Sequence, residues 1–209
     1  GATWACSAHW TGSGGKPYVH ADIHNFTTYA TSLSTYDLYA CTDGGLFYSS
    51  NNGTNWSDLS NGLHIQQFYR LSCAQTQNNL VTQGAQDNGS TKYSNGTWTK
   101  IYGGDGMETL IDYSNANYVY ISLYEGDIYR SSNGGGTFGG IAPPDTGAWV
   151  TPYIIDPVTP STIYAGLTSV WKSTNRGTNW TKIGNKIFSG NTIDALAVAP
   201  SNPSVMFAS

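Results

Sequence analysis

The densest cluster of functional side chains in the chain is His20-Ala21-Asp22-Ile23-His24. On a strand, alternate residues share a face, so His20, Asp22 and His24 would project together at roughly 6–7 Å intervals. Two imidazoles and a carboxylate in that arrangement can hold a transition metal or work as a general acid–base group, and they equally suit a hydrogen-bonded polar ladder. A second carboxylate of interest is Asp43, in Thr42-Asp43-Gly44-Gly45 directly after the apolar run Tyr36 to Ala40. Glycoside hydrolysis needs two carboxyl groups about 5–9.5 Å apart, and Asp22, Asp87 and Asp105 are the candidate partners for Asp43. The loops Gln86-Asp87-Asn88-Gly89 and Gly103-Gly104-Asp105-Gly106 could offer carboxylate and carbonyl oxygens to Ca²⁺, although turn chemistry alone accounts for both. Trp10, Trp149 and Trp171, with Tyr102 and Tyr124, are candidates for an aromatic ligand platform or for ordinary half-buried packing.

Elements that could position these groups emerge from self-comparison. Ser49 to Trp56, Ser131 to Phe138 and Ser173 to Trp180 share the template Ser-x-Asn-x-Gly-x-x-aromatic, and Tyr93-Ser94-Asn95-Gly96-Thr97-Trp98 is a shortened fourth copy. The closing aromatics Trp56, Trp98, Phe138 and Trp180 are separated by 42, 40 and 42 residues, a period of about 41. Apolar alternating runs precede the copies, such as Tyr153 to Ile155 followed by Ile163 to Gly166, and they read as antiparallel strands joined by tight turns. In the template, Asn is expected to tolerate a left-handed backbone and to bond two residues on, Gly to supply positive φ, and the aromatic to plug the core beneath the turn.

Three to four strands per 41 residues is the size of one propeller blade. The expected fold is therefore all-β, a β-propeller of four-stranded blades in a single domain over 1–209, with units near 24–60, 68–101, 107–141, 150–184 and an incomplete 193–209. The interrupted last unit fits a piece of a larger propeller better than a closed ring of five.

Composition bounds the function. The 209 residues carry 13 acidic and 9 basic side chains, a net charge of -4, and the few cations are scattered, which argues against nucleic acid as a partner. No apolar run reaches the length of a membrane-spanning helix. Few charges with many Tyr, Thr, Ser, Asn and Gly suit an extracellular or cell-surface protein, and if the protein is exported its signal is expected to have gone already. Cys6, Cys41 and Cys73 lack metal-ligand spacing, and free buried thiols at Cys41 and Cys73 are favoured over a bridge.

The repeats resemble the Asp-box or BNR repeats of sialidases, sortilin-type receptor propellers and xyloglucan-cleaving two-propeller endoglucanases. The likeness covers roughly residues 20 to 209. Asp43-Gly44-Gly45, Gln86-Asp87-Asn88-Gly89 and the hairpin at Asn202-Pro203 are similar to those of secreted bacterial BNR-repeat proteins. In the endoglucanases a catalytic Asp stands in a Thr-Asp-x-Gly-Gly phrase, so the resemblance implies a catalytic role for Asp43, although Thr42-Asp43-Gly44-Gly45 is one residue shorter. Asp22-Ile23 is a weak match to their second, Gly-Asp-apolar phrase, because it lacks the Gly. Sialidase chemistry would need an arginine cluster, whereas Arg130 and Arg176 belong to the repeat hairpins and only Arg70 remains.

The expected role is recognition or scaffolding of extracellular glycan or protein, with His20, His24, Asp87, Asp105, Trp149 and Trp171 as ligand-binding candidates and no cofactor required unless calcium occupies the acidic loops. The competing roles are a glycoside hydrolase using Asp43 and Asp22, and a self-associating structural subunit of a surface layer or filament.

Overall fold

The computed structural model describes residues 3–184 and 191–209. They form two compact units, 1–66 and 67–209. Strands dominate both, and the one helical element among the described residues is a single 3-10 turn at Tyr124–Gly126.

Unit 1 carries one four-stranded antiparallel sheet: β1 (Ile23–Ala30), β2 (Tyr36–Thr42), β3 (Gly45–Ser49) and β4 (Ser57–Asp58), paired in chain order. Its β2 and β3 alternate, turning Ala40 and Phe47 into a core with Val19, against which Trp56 packs. The expected ladder of His20, Asp22 and His24 does not form. Asp22 takes a left-handed conformation, φ 56°, and β1 starts only at Ile23, so a turn separates His24 from the two earlier side chains.

Unit 2 carries three further four-stranded sheets of the same meander topology. The first is β5 (Phe68–Cys73), β6 (Leu80–Ala85), β7 (Gly89–Ser94) and β8 (Thr97–Tyr102). The second is β9 (Thr109–Ile111), β10 (Val119–Ser122), β11 (Ile128–Ser131) and β12 (Gly139–Gly140). The third is β13 (Tyr153–Ile155), β14 (Ile163–Gly166), β15 (Val170–Ser173) and β16 (Thr181–Lys182), followed by the hairpin β17 (Leu196–Val198) and β18 (Met206–Ala208). First strands of successive sheets are neighbours, β5 beside β9 and β13 beside β17. Apolar residues from facing sheets interdigitate: Leu80 meets Ile111 and Val119, and Tyr120 and Ile128 meet Tyr153, Ile163 and Leu167. Sheets stacked face to face with their first strands adjacent are the packing of propeller blades.

The recurring turn joins the third and fourth strand of each sheet, and its chemistry differs from the sequence expectation. In the three full copies a buried Ser accepts the Gly N–H four residues on, at 2.9, 2.9 and 2.8 Å for Ser49, Ser131 and Ser173. Each Ser donates to the Asn side chain, and that Asn Oδ1 accepts the N–H of residue 55, 137 or 179, four positions on rather than two. The left-handed residues are not the Asn but the two that follow: Asn52 and Gly53, Gly134 and Gly135, Arg176 and Gly177. The Asn is conserved among the copies of this chain because its oxygen gathers the turn. Trp56, Phe138 and Trp180 pack half-buried as expected, but Trp98 is 51% exposed. The shortened copy closes in a two-residue turn, Asn95-Gly96, so Trp98 falls within β8 itself and packs beside Tyr93 on the sheet surface.

All three cysteines are free and exposed, which corrects the expectation of burial at Cys41 and Cys73. Strand alternation explains it: Ala40 is the residue of β2 that turns inward, and in β5 it is Ser72 that faces the neighbouring sheet, accepting Ile111 N–H at 3.0 Å.

Candidate functional site

Blade topology sorts the candidate residues. In each sheet the turn between second and third strands emerges at the end opposite the Ser-Asn-Gly turn, and these turns carry Asp43, Asp87, Tyr124 to Asp127, and Thr168.

In unit 1 the second turn presents Asp43. Thr42 Oγ1 accepts Gly44 N–H at 3.2 Å and donates to the Gly45 carbonyl at 3.1 Å, which folds the four residues tightly. Gly44 has to be glycine because a Cβ there would fall within the His20 ring, and Gly45, at φ 127°, would overlap Ser60. Asp43 Oδ1 lies 2.5 Å from His24 Nε2 at the start of β1. Oxygens of the Asp22 and Asp43 carboxylates lie within 4.8 Å of each other. His20, by contrast, lies against the backbone of Gly44, with Nδ1 3.2 Å from the Ala21 carbonyl and its ring edge-on to Tyr18. Asp43 therefore has both the Asp22 carboxylate and the His24 imidazole as neighbours. Two neighbouring carboxylates, one bonded to an imidazole, can hold or pass a proton.

In unit 2 the acidic loops meet each other: Asp105 Oδ1 accepts the Asp87 N–H at 2.8 Å, so this carboxylate pins the 86–89 turn. Next to that turn stands an aromatic group. Tyr69 sits at a bulge in β5 that re-aims its side chain, and its hydroxyl bonds Gln86 Oε1 and accepts Trp149 Nε1–H at 3.3 Å. Trp149 stacks on Tyr124 with ring centroids 5.2 Å apart and planes 7° from parallel, and the two rings remain 46% and 44% exposed. Their loops are fixed. Gly147 N–H donates to the Glu125 carbonyl at 2.9 Å and pairs with Leu167, while Thr151 Oγ1 caps the Ala148 carbonyl at 2.7 Å. A Cβ on Gly147 would strike Thr151, and one on Gly126 would strike Leu167.

Trp171 is held separately: its Nε1–H donates to Asp145 Oδ2 at 2.9 Å, and Thr168 Oγ1 donates to the same carboxylate at 2.8 Å. Burial alone would raise the Asp145 pKa, but hydrogen bonds from Trp171, Thr168 and the Thr146 amide, with Lys182 nearby, hold it below its ordinary value. Trp171 is therefore a tied, half-buried side chain, and Trp149 is the one that offers a face.

Glu108 is a residue that sequence reasoning missed. It immediately precedes β9, its side chain is 15% exposed, and its Oε2 lies 3.3 Å from Arg70 Nε. Burial pushes its carboxyl up to about 7, with Arg70 and the Thr109 amide pulling the other way. The only sequence signal was an acid between Met107 and the apolar run Thr109 to Ile111. Tyr69 and Asp145 were also missed, since nothing local marks them, and Gln86 was named only as part of its acidic loop.

No protein-family model matches the chain, and no curated protein matches it. Solved structures do. An ancestral GH74 enzyme matches with a TM-score of 0.56 and 19% identity over 90% of this chain and 27% of its own. The GH74 xyloglucanase from Xanthomonas campestris matches with a TM-score of 0.51 and 17% identity, covering 89% and 34%. The extracellular domain of a hybrid two-component system from B. thetaiotaomicron matches at 0.52 and 16%, covering 87% and 24%. The present chain thus spans about a quarter to a third of those chains. The shared architecture is the β-propeller. Among the described residues no helix is long and apolar enough to cross a membrane.

Proposed function

We propose that this chain is part of an Asp-box propeller, extracellular or cell-surface, that recognises glycan through the end of unit 2 that carries its second turns. The observation that carries this reading is the Tyr124–Trp149 pair: two parallel, half-exposed rings whose loops are fixed before any ligand arrives. Sugars present flat C–H faces to aromatic rings, and a platform ordered in advance avoids the entropy of assembling one. Hydroxyl-bonding groups stand beside it in Tyr69, Gln86 and the acidic turn at Asp87 and Asp105. The low charge of the chain and the xyloglucanase and extracellular domain among its fold relatives support the same reading. Titration calorimetry with soluble xyloglucan and with an unbranched β-glucan tests it. Trp149→Ala should weaken binding about tenfold or more, and Trp98→Ala, exposed in β8, should leave it unchanged. Equal affinities in both variants would remove the proposal.

A second reading has its own support. Asp22 and Asp43, with carboxylate oxygens within 4.8 Å, stand on the short side of the roughly 5–5.5 Å separation used by retaining glycoside hydrolases, and His24 can order Asp43. On this reading Asp43→Asn abolishes release of reducing ends from xyloglucan, while leaving the affinity measured at Trp149 intact. Release by the native chain at the rate of a buffer blank would dismiss hydrolysis.

A further inference from the structure

On one side of each four-stranded sheet of unit 2, a cation on the third strand stands across from a second-strand residue. The pairs are Lys92 with Thr82, Arg130 with Tyr120, and Lys172 with Tyr164. The first two cations make the same bond to the following sheet. Lys92 Nζ donates to the Gly134 carbonyl at 2.8 Å, and Arg130 Nη1 donates to the Arg176 carbonyl at 2.6 Å. Both acceptors are the first left-handed residue of a Ser-Asn-Gly turn. Each bond thus latches one sheet onto the outer hairpin of the next.

The latch between the second and third sheets of unit 2 also runs in reverse. Arg176 Nε reaches back to Asp112 Oδ2 at 3.2 Å, and its guanidinium lies 4.3 Å over the Tyr118 ring. Asp112 is fully buried and gathers the turn between first and second strands by accepting Ser114 and Asn115 N–H. The glycine after Arg176 rests on Ile141, whose carbonyl accepts Trp180 Nε1–H at 2.5 Å.

The acid, the third-strand cation and the isoleucine of that seat recur one sheet later, with Thr162 standing where Tyr118 does and Asp156 Oδ2 accepting the Tyr164 hydroxyl at 3.2 Å. Asp156, 4% exposed, gathers its turn by accepting Val158 and Thr159 N–H as Asp112 does. Ile183 follows β16 and bonds the Val170 carbonyl just as Ile141 follows β12 and bonds that of Ile128. Among the described residues Lys172 Nζ has no carbonyl partner and stands 5.5 Å from the centre of the Tyr164 ring. Tyr164, Val170, Lys172 and Ile183 instead line an open pocket of about 370 Å³ together with Pro203 and Met206. The β17–β18 hairpin beside it corresponds to β13–β14, with Ala208 opposite Leu196 as Ala165 is opposite Tyr153.

We infer that this pocket is a docking seat for one kind of partner: a β-hairpin built like Val170–Lys182, a third and fourth strand joined by a Ser-x-Asn-Arg/Lys-Gly-x-x-Trp turn. Its first strand pairs with β18, the carbonyl of its left-handed cationic residue accepts Lys172, that cation reaches Asp156, and its tryptophan fills the space against Ile183. The cation-to-carbonyl latch occurs twice within the chain with its hairpin present, and the seat with acid, cation and tryptophan occurs once, between the second and third sheets of unit 2, which is the pattern for the third.

The test appends a second copy of Leu167–Ile183 after Ser209 of the full chain, beside a control bearing the same residues in shuffled order. The ordered tail should raise Tm by about 4 °C or more over the shuffled one. Lys172→Met should remove about half of that gain, yet shift Tm of the untailed chain by no more than about 1 °C. As a second measurement, the Leu167–Ile183 peptide supplied in trans should raise Tm of the untailed chain in a dose-dependent way. Equal Tm values for ordered and shuffled tails would overturn the proposal. So would sedimentation of the untailed chain at twice 22.4 kDa through this face with no effect of the tail, which would make a second copy the occupant.

Discussion

Replacing Glu108 by glutamine should make the protein more tolerant of alkaline pH. The carboxyl is held near 7 in the folded chain, against an ordinary value of 4.5, chiefly because burial penalises its charged form. Between pH 4.5 and 7 the unfolded chain releases a proton that the folded chain keeps. Stability therefore falls as pH rises through that window, and the whole penalty is present above it. A gap of about 2.5 pKa units corresponds to roughly 3 kcal/mol. Glu108→Gln keeps the shape and removes the titration. Its cost is the ion pair with Arg70, whose side chain is 55% exposed, and such pairs contribute about 1 kcal/mol or less. Calorimetric unfolding of both proteins at pH 4.5 and pH 8 should show the variant gaining on the native chain by about 6–12 °C in Tm between the two conditions. A Tm difference that is the same at both pH values would refute the argument, because it would mean that Glu108 ionises normally in the folded state.

Ser173→Ala should lower Tm by about 2–10 °C, since the buried Gly177 N–H loses its acceptor at a cost of about 1–3 kcal/mol; Ser131→Ala should match it, and thermal denaturation of the two checks that the copies are equivalent. Asn175→Asp should be tolerated, with Tm unchanged within about 2 °C at pH 7, because Asn175 Oδ1 only accepts in the turn and a carboxylate accepts at least as well. Gly147→Ala should reduce glycan affinity about as much as Trp149→Ala does, through displacement of the loop that carries the ring, and calorimetric titration of the two variants side by side measures it. In unit 1, Gly44→Ala should displace His20 without abolishing the His24–Asp43 pair, an outcome visible in the imidazole proton resonances.

The fold was legible because its cause is local and repeated. A buried Ser must bond the amide four residues on, a Gly must follow a left-handed residue, and an aromatic must close the turn, so the spacing recurs wherever the geometry does. Even so, the pattern alone misassigned the work of the Asn, since a side chain that bonds four residues on looks in sequence like one that bonds two on. Trp98 illustrates the same limit. Its copy is shorter by two residues, and only pairing across β7 and β8 reveals that this moves the ring out to the surface.

The candidate sites were less legible because they are made by distant segments. His24 was singled out with the wrong companions: strand alternation pointed to His20 and Asp22, whereas the left-handed Asp22 broke that alternation and the partner came from β2's far end, nineteen residues on. Trp149 could be named but not ranked above Trp171. Their difference lies in Asp145, which ties Trp171 down and leaves Trp149 to stack on Tyr124. Glu108 shows only an acid between Met107 and Thr109 in sequence, because what sets it apart is how much of the molecule covers it.

The central claim, that Trp149 and Tyr124 form the glycan-binding surface, is tested most directly by oxidative footprinting of the tryptophans with and without excess soluble xyloglucan. Trp149 should be protected severalfold while Trp4, Trp10 and Trp98, all more exposed, oxidise at unchanged rates. Protection of those three with Trp149 unaffected, or identical rates at every tryptophan, would contradict it.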